Sequence, residues 1–439
     1  MLVFPEERYY GASLPFGEGG ASFTPENLVF LTTEQVLEDY VELLSYLKAS
    51  LSGAADCPAV AFGGSYGGTL TTFLRAAYPA AVVGGLASSA PVGYYDQGGW
   101  AAHGVDAFTW SDIASRDYDE ADPNCLTAIH SAAAAVDAAD ADAALLGAFG
   151  VCEASGLGPT SQSDLFLYAL EGLPQMDYPY EVGGLPAWPV NASCATLVAA
   201  LEAAEQQQQH HRGGEGFGRV GASGDSLLVA AAANVTRMAL GIDAAEDGCM
   251  ATLDEGPGGI PGDGPAPQCV DDAWCYQSCT ETLHAFSSRG LRNYSFDLAS
   301  SATAPCASSF SGTVQPDPEA LTQRFGGYAL GDGLAGVTNL IWSNGLLDPW
   351  SGGGFLVPPP DADESGNHWI MMPNGAHHLD LRAPHDDDPA DVTAARKREE
   401  AIIWGWITDY AGKGTAATAM AKKKKKKKSK PVESAESPS

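Results

Sequence analysis

The chain has 439 residues, more than one minimal domain needs, and fits one large elaborated domain or two. Its net charge of −32 argues against nucleic-acid binding by the folded part: residues 1–420 carry 15 basic against 53 acidic groups, and the other eight basic residues stand between Lys422 and Lys430. No apolar run reaches 18 residues, so no membrane span is expected, and MLVFPEERYYG lacks the basic and apolar regions of a signal peptide.

Residues 1–98 alternate between strand and helix patterns. MLVF reads as a strand. TTEQVLEDYVELLSYLKASL places Val36, Tyr40, Leu43, Leu44 and Leu47 on one helix face, with Thr32 or Thr33 as N-cap. AVAF at 59–62 is a short buried strand, GTLTTFLRAAYP at 68–79 a helix, and AAVVGGLASSAPV the next strand. Such alternation implies a parallel sheet.

Residues 99–324 change character. They are alanine-rich and hold most of the cysteines. CLTAIHSAAAAVDAADADAALLGAFG and residues 195–209 read as helices, while HHRGGEGFGRVGASGD and DEGPGGIPGDGPAPQ read as low-complexity loops. The region is expected to be a mostly helical insertion. The sheet pattern resumes over 325–412, with VTNLIW (337–342) and HWIMM (368–372) as strands and PADVTAARKREEAIIWGWITDYA as a closing helix. Residues 413–439 form a lysine-rich tail expected to be solvated and disordered; a nuclear or membrane-surface signal is the alternative.

Nine cysteines show no paired CxxC units, and Cys275 and Cys279 stand four apart, so zinc is not indicated. Disulfides in a secreted or lumenal protein are the better reading, with the odd count leaving a free thiol. Three sequons, at Asn191, Asn234 and Asn293, lend that compartment weak support.

The chemistry concentrates in three strings. Gly63-Gly64-Ser65-Tyr66-Gly67 fits G-x-S-x-G, between a strand and a helix. Such a turn holds the serine in strained geometry, exposes its hydroxyl above the sheet, and needs small neighbours such as Gly63 and Gly67. A flexible glycine loop is the bland alternative. A serine hydroxyl needs a base, and the base needs an acid to fix its tautomer. Asp348 follows one later strand, in IWSNGLLDPW, and His377 and His378 follow the next, so the order is Ser, Asp, His. Taken singly, Asp348 could merely initiate a turn at Pro349, and either histidine could be an ordinary loop residue. The backbone N–H of Tyr66 stands where one oxyanion donor is needed.

RYYGASLPFG, FGGSYGGTL, YQSCTE, SNGLLDPWSGGG and GAHHLDLR together resemble the prolylcarboxypeptidase/dipeptidyl-peptidase II family of serine exopeptidases, with matches from about residue 2 to residue 410. The resemblance implies an α/β-hydrolase core, a large helical cap inserted over residues 99–324, and cleavage after proline, sometimes alanine, in lysosome-like vesicles or outside the cell. It assigns Ser65 as nucleophile, Asp348 as orienting acid and His377 as general base. Arg382 braces the histidine loop, through His378. No cofactor or metal is called for. The partners implied are short proline-containing peptides, and a homodimer is compatible.

Two departures from the family pattern stand out. The family carries further residues before LVF, including the first strands of the sheet and a glycine-containing loop that supplies the second oxyanion donor; the signal peptide would be lost with them. Loss of one such donor costs ~10²–10³ in kcat. Glu7 stands where the family has histidine, and Ala12 where it has glutamate, so a polar group of the pocket is expected to change. Cys275 beside YQSCTE is also unexpected.

The favoured reading is a Pro-X carboxypeptidase. A dipeptidyl-peptidase, an esterase on the same scaffold, and a catalytically impaired, truncated hydrolase are the alternatives. A carboxypeptidase needs a cation for the substrate carboxylate, and a dipeptidyl-peptidase an acid for the free amine; sequence alone places neither.

Overall fold

The computed structural model describes residues 1–17, 20–139, 148–149, 162–212, 222–241, 273–360 and 362–428. Four strands, β1 (Val60–Gly64), β2 (Gly84–Ser88), β3 (Leu340–Gly345) and β4 (His368–Met372), form one sheet in that order. Every neighbouring pair is parallel, with Phe62 opposite Leu86, Leu86 opposite Ile341, and Ile341 opposite His368. All residues of β2 and β3 are buried, which is why these strands read as continuous apolar or small runs rather than as alternation.

The strand patterns locate the sheet but not its limits, and AVAF is not a buried strand: β1 runs on to Gly64 at the edge of the sheet, where Phe62 is 55 % exposed. β4 matches HWIMM. β3 starts three residues late, because Asn339 takes a positive φ of 58° and spends its side chain on the Val83 carbonyl. β2 stops at Ser88, where Ser89, at φ 47°, turns the chain away. MLVF is not a strand: Met1, Leu2 and Phe4 are more than 80 % exposed and lie outside the sheet. β-propensity yields a strand only where a ladder partner stands alongside; here the chain instead runs into a turn in which the Glu6 carboxylate accepts from the Ala12 N–H and the Ser13 hydroxyl.

Helix α1 (Thr33–Ser50) begins as expected, with the Thr32 side chain accepting from the Gln35 N–H. Only its first turns are fully buried, at Thr33, Val36 and Leu37; Tyr40, Leu43, Leu44 and Leu47 are half-buried. Helix α2 (Tyr66–Ala77) is buried from Gly68 to Arg75. At its C-terminal end the buried Arg75 guanidinium donates to the carbonyls of Pro79, Val82 and Thr338, each at 2.7 Å, tying the lead-ins of β2 and β3 together.

Between β2 and β3 lies a helical block: α3 (Thr109–Ala121), α4 (Cys125–Ala139), α5 (Gln162–Gly172), α6 (Pro189–Arg212) and α7 (Ala222–Ala239). Ile129, Val136, Phe166, Leu170, Leu197 and Val235 are buried among them, and the many alanines let the helices approach closely. Cys125–Cys194 staples the start of α4 to α6, at a Cα separation of 5.2 Å. Helix α8 (Ala273–Thr280) is tied by Cys279–Cys306, Cys275 is disulfide-bonded as well, and Cys57 is a free, exposed thiol. Asn191, Asn234 and Asn293 are all exposed. Most of the two expected low-complexity loops, residues 213–221 and 242–272, lies outside the described residues.

Helix α9 (Ala390–Lys428) closes the fold against β4 and β2. It runs past the expected end at Gly412 as far as Lys428, because alanine and lysine are strong helix formers even where no core-facing pattern remains. No helix among the described residues is long and apolar enough to cross a membrane.

Candidate active site

β1 delivers the chain into a sharp turn, and α2 leaves it one residue later. Ser65, between them, has φ 57° and ψ −128°, a conformation that costs a non-glycine residue of order 1–3 kcal/mol. Backbone bonds hold it there: its N–H donates to Ser88 O, and its carbonyl accepts from Gly68 N–H and Thr69 N–H. A Cβ at Gly63 would lie 1.9 Å from the Gly67 carbonyl oxygen, so Gly63 is compelled by the turn. Gly64 would meet the His378 ring at 3.0 Å. Gly67 faces open space, so its smallness is not demanded by any neighbour in the structure. The Tyr66 N–H, first of α2, has no backbone partner among the described residues and stands at the positive end of the helix.

Asp348 is fully buried and does two jobs. One carboxylate oxygen caps the turn at Pro349–Gly353 by accepting from Trp350 N–H at 3.1 Å. The other is 2.7 Å from His377 Nδ1. His377 is held from the helical insertion as well: its N–H donates to Gln175 O, and its carbonyl accepts from the Tyr178 hydroxyl at 3.0 Å. No direct bond joins Ser65 Oγ to His377 among the described residues, a looseness common before substrate is bound.

His378 sits at φ 41°, its N–H on the Ser89 hydroxyl and its ring 4.4 Å from that of His377. Burial, then the neighbouring His377 and Arg382, push its pKa down to about 3, so it stays neutral in mild acid. Ser65, Ser89 and His378 are three strained non-glycine residues meeting at one place. Arg382 does not brace the loop through a bond to His378. Its guanidinium lies over the Tyr178 ring, 4.1 Å from the centroid, and its buried Nε has no hydrogen-bond partner. The brace is Arg396 on α9, which donates to Asp380 O at 2.9 Å and Leu379 O at 2.8 Å and pairs with Asp388. Arg396→Met is expected to lower stability by ~2–3 kcal/mol by orphaning those carbonyls and Asp388, read as a fall in the urea midpoint.

Ser65, Tyr66, His377, His378 and Arg382 all line one cavity of ≈ 350 Å³. Its remaining wall is largely aromatic, including Tyr95, Tyr178, Trp274 and Trp350. A hydroxyl on a strained strand-to-helix turn therefore opens onto the same small cavity as an acid-held imidazole.

Residues 1–210 and 263–399 match the sequence profile of the family Serine carboxypeptidase S28. The chain belongs to that family. It is 32 % identical to human lysosomal Pro-X carboxypeptidase, over 94 % of this chain and 76 % of that protein. It is equally similar, 32 %, to the putative serine protease pcp-1 of Caenorhabditis elegans, over 92 % of this chain and 71 % of the relative. The mouse thymus-specific serine protease is 22 % identical over 93 % of this chain and 75 % of its own length. Membership in the S28 family makes this chain a serine-type peptidase and its sheet part of an α/β-hydrolase fold.

Several residues of this S28 site carry no signal in the sequence. Gln175 accepts from Trp350 Nε1 at 2.7 Å while its backbone holds His377, and Tyr178 supports both His377 and Arg382. QMDYPY matches no catalytic motif and no periodic pattern, and it meets the histidine loop only through the fold. Glu7, expected to alter the pocket, lies behind it: its carboxylate accepts from Gln277 Nε2 at 2.9 Å and from the Tyr66 hydroxyl at 3.3 Å. Burial raises its pKa to about 7 against the lowering effect of those bonds. Ala12 is exposed.

Proposed function

We propose that the protein is a carboxypeptidase that removes the last residue of short peptides after proline. The carrying observation is the 2.7 Å bond between His377 Nδ1 and Asp348 on the cavity onto which Ser65 opens. The bond fixes the proton on Nδ1 and leaves Nε2 free to accept the serine proton. Ser65 Oγ then attacks the prolyl carbonyl, and the Tyr66 N–H stabilises the developing oxyanion. His377 returns the proton to the leaving amine, and water hydrolyses the acyl-enzyme by the same steps in reverse. Neutral His378 keeps a second positive charge away from His377 during these transfers.

The direction of trimming follows from charge. Arg382 is a cation on the cavity wall, suited to a substrate's terminal carboxylate. The aromatic wall suits the prolyl ring, and the helical block, read as a cap, would exclude folded chains. The name of the human relative supports the same reading, as it does an acidic lumenal compartment.

A peptide with Ala-Pro at its free N-terminus and Pro-Phe at its free C-terminus separates the possibilities by mass spectrometry at pH 5. Loss of Phe by the parent, but not by Ser65→Ala, is expected. Loss of Ala-Pro instead would make the protein a dipeptidyl-peptidase, and an intact peptide with folded protein would leave it catalytically impaired. Arg382→Met is expected to raise KM about 10–100-fold for the free acid, with little effect on its C-terminal amide. Equal processing of acid and amide by the parent would remove Arg382 from carboxylate recognition.

A further inference from the structure

Glu7 lies directly behind the turn that carries the nucleophile. One of its carboxylate oxygens accepts from the Tyr66 hydroxyl at 3.3 Å and from Gln277 Nε2 at 2.9 Å. Gln277 Nε2 also donates to the Tyr66 hydroxyl at 2.8 Å, and the Tyr10 hydroxyl donates to Gln277 Oε1. Glu7, Gln277 and Tyr66 thus close a triangle that fixes the tip of the Tyr66 side chain. The backbone N–H of the same tyrosine, first of α2, is the oxyanion donor of the mechanism above. The Tyr66 ring meets Trp274 edge-on at 5.3 Å, and both line the cavity. Glu7 does not line it, so it acts on the reaction only through Tyr66.

The triangle closes with the carboxyl in either state. Ionised, Glu7 accepts from both partners through one oxygen. Neutral, it carries its proton on the second oxygen and still accepts through the first. What differs is charge, and the surrounding groups do not cancel it. Arg8 is spent on Asp39, Gln35 and the Phe30 carbonyl. Glu281, just past α8, pairs with Arg324 and accepts from the Thr33 N–H and hydroxyl, each at 2.8 Å. Burial holds the hydroxyls of Tyr40 on α1 and Tyr66 on α2 protonated. An ionised Glu7 therefore sets a negative charge one side chain away from the carbonyl oxygen that becomes negative during attack. Such repulsion raises the transition state more than the bound substrate, whose carbonyl is still neutral, so it acts on kcat more than on KM. Burial raises the Glu7 pKa to about 7, so the carboxyl is neutral at pH 5 and ionised at pH 8.5.

We propose that Glu7 is a positioning residue of the oxyanion step and makes turnover acid-favoured: neutral, it holds Tyr66 without opposing the charge that develops at the Tyr66 N–H, and ionised, it holds the same side chain but opposes that charge. The inference rests on the acyl-transfer reading above.

The test follows cleavage of acetyl-Ala-Pro-Phe by the full chain from pH 5 to 8.5, with active enzyme counted by fluorophosphonate labelling of Ser65. The kcat of the parent is expected to fall about 3–10-fold on the alkaline side, with a midpoint near pH 7 and a smaller change in KM. Glu7→Gln keeps the acceptor and cannot ionise, so the ratio of its kcat to that of the parent should rise by the same factor between pH 5 and 8.5. His377 and the other buried carboxyls are common to both proteins and cancel in that ratio. Glu7→Ala removes the bond as well as the charge, and should show the same flat alkaline limb at a lower kcat than Glu7→Gln. A parent kcat that does not fall above pH 7 overturns the inference without any variant. A pH-independent ratio overturns it too, and equal kcat in Glu7→Gln and Glu7→Ala removes Glu7 from the positioning of Tyr66. Each of these results leaves the peptidase reading intact. An uncleaved peptide at every pH, with folded parent protein, overturns the carboxypeptidase reading and this inference with it.

Discussion

Asp348→Asn is expected to lower kcat by about 10⁴ while the protein stays folded. The two carboxylate oxygens have separable duties. The oxygen facing Trp350 N–H only accepts, and an asparagine carbonyl can replace it there, so the cap at Pro349 survives. The oxygen facing His377 Nδ1 at 2.7 Å would become an amide nitrogen, a donor. His377 would then take the opposite tautomer, with Nε2 protonated and unable to receive the serine proton. KM should change little, because Asp348 is fully buried behind the histidine and does not line the cavity. Steady-state kinetics on the proline peptide, with a urea titration alongside, separate the two duties. A variant of parental kcat would remove Asp348 from the catalytic group. A variant that unfolds early would show that the cap, rather than the tautomer, dominates.

Stability is expected to rise as pH falls from 8 towards 5, by several kcal/mol. Burial raises Glu7 and Asp177 to about 7, and Asp117 and Glu399 to about 8. Arg116 opposes the rise at Asp117 but does not offset desolvation, and the nearby Asp380 adds to it at Glu399. In the unfolded chain these groups titrate near pH 4. Between about pH 4 and 8 the folded protein holds protons that the unfolded chain has released. Its stability therefore falls as pH rises through that window and is fully present below it.

His284 and His378 act oppositely. Both are held neutral in the fold down to about pH 3, whereas the unfolded chain protonates them below about 6.5. Below about pH 6.5 the two histidines thus offset part of the carboxyls' gain without reversing it. The net charge of −32 at pH 7 favours acid in the same sense as the carboxyls. Thermal melts across this range test the profile, and Asp117→Asn with Glu399→Gln should flatten it. A melting temperature that climbs from pH 5 to 8 would contradict the assignment. An optimum in mild acid suits the lumenal compartment proposed for the protein.

The local parts of this protein were legible in the sequence. Ser65 between glycines, a strand before it and a helix after it follow from short-range sterics: Gly63 is compelled by an atom four residues away. The N-cap at Thr32 and strand HWIMM are likewise written in adjacent residues. MLVF failed as a strand because a ladder needs a partner that local pattern does not specify, and the last helix overran because propensity persists after core contacts end. The surroundings of the site were decided only by tertiary structure. Gln175 and Tyr178 reach the His377 loop across about 200 residues of chain, Arg396 holds that loop from the last helix, and Arg382 turns to Tyr178 instead of His378. His284 looks like any loop histidine until aromatic rings from two other segments, Tyr95 and Trp350, close around it. Sequence encodes the turns and periods that neighbouring residues enforce on one another. Burial, which neutralises His284 and His378 and raises the four carboxyls, exists only once distant segments have packed together.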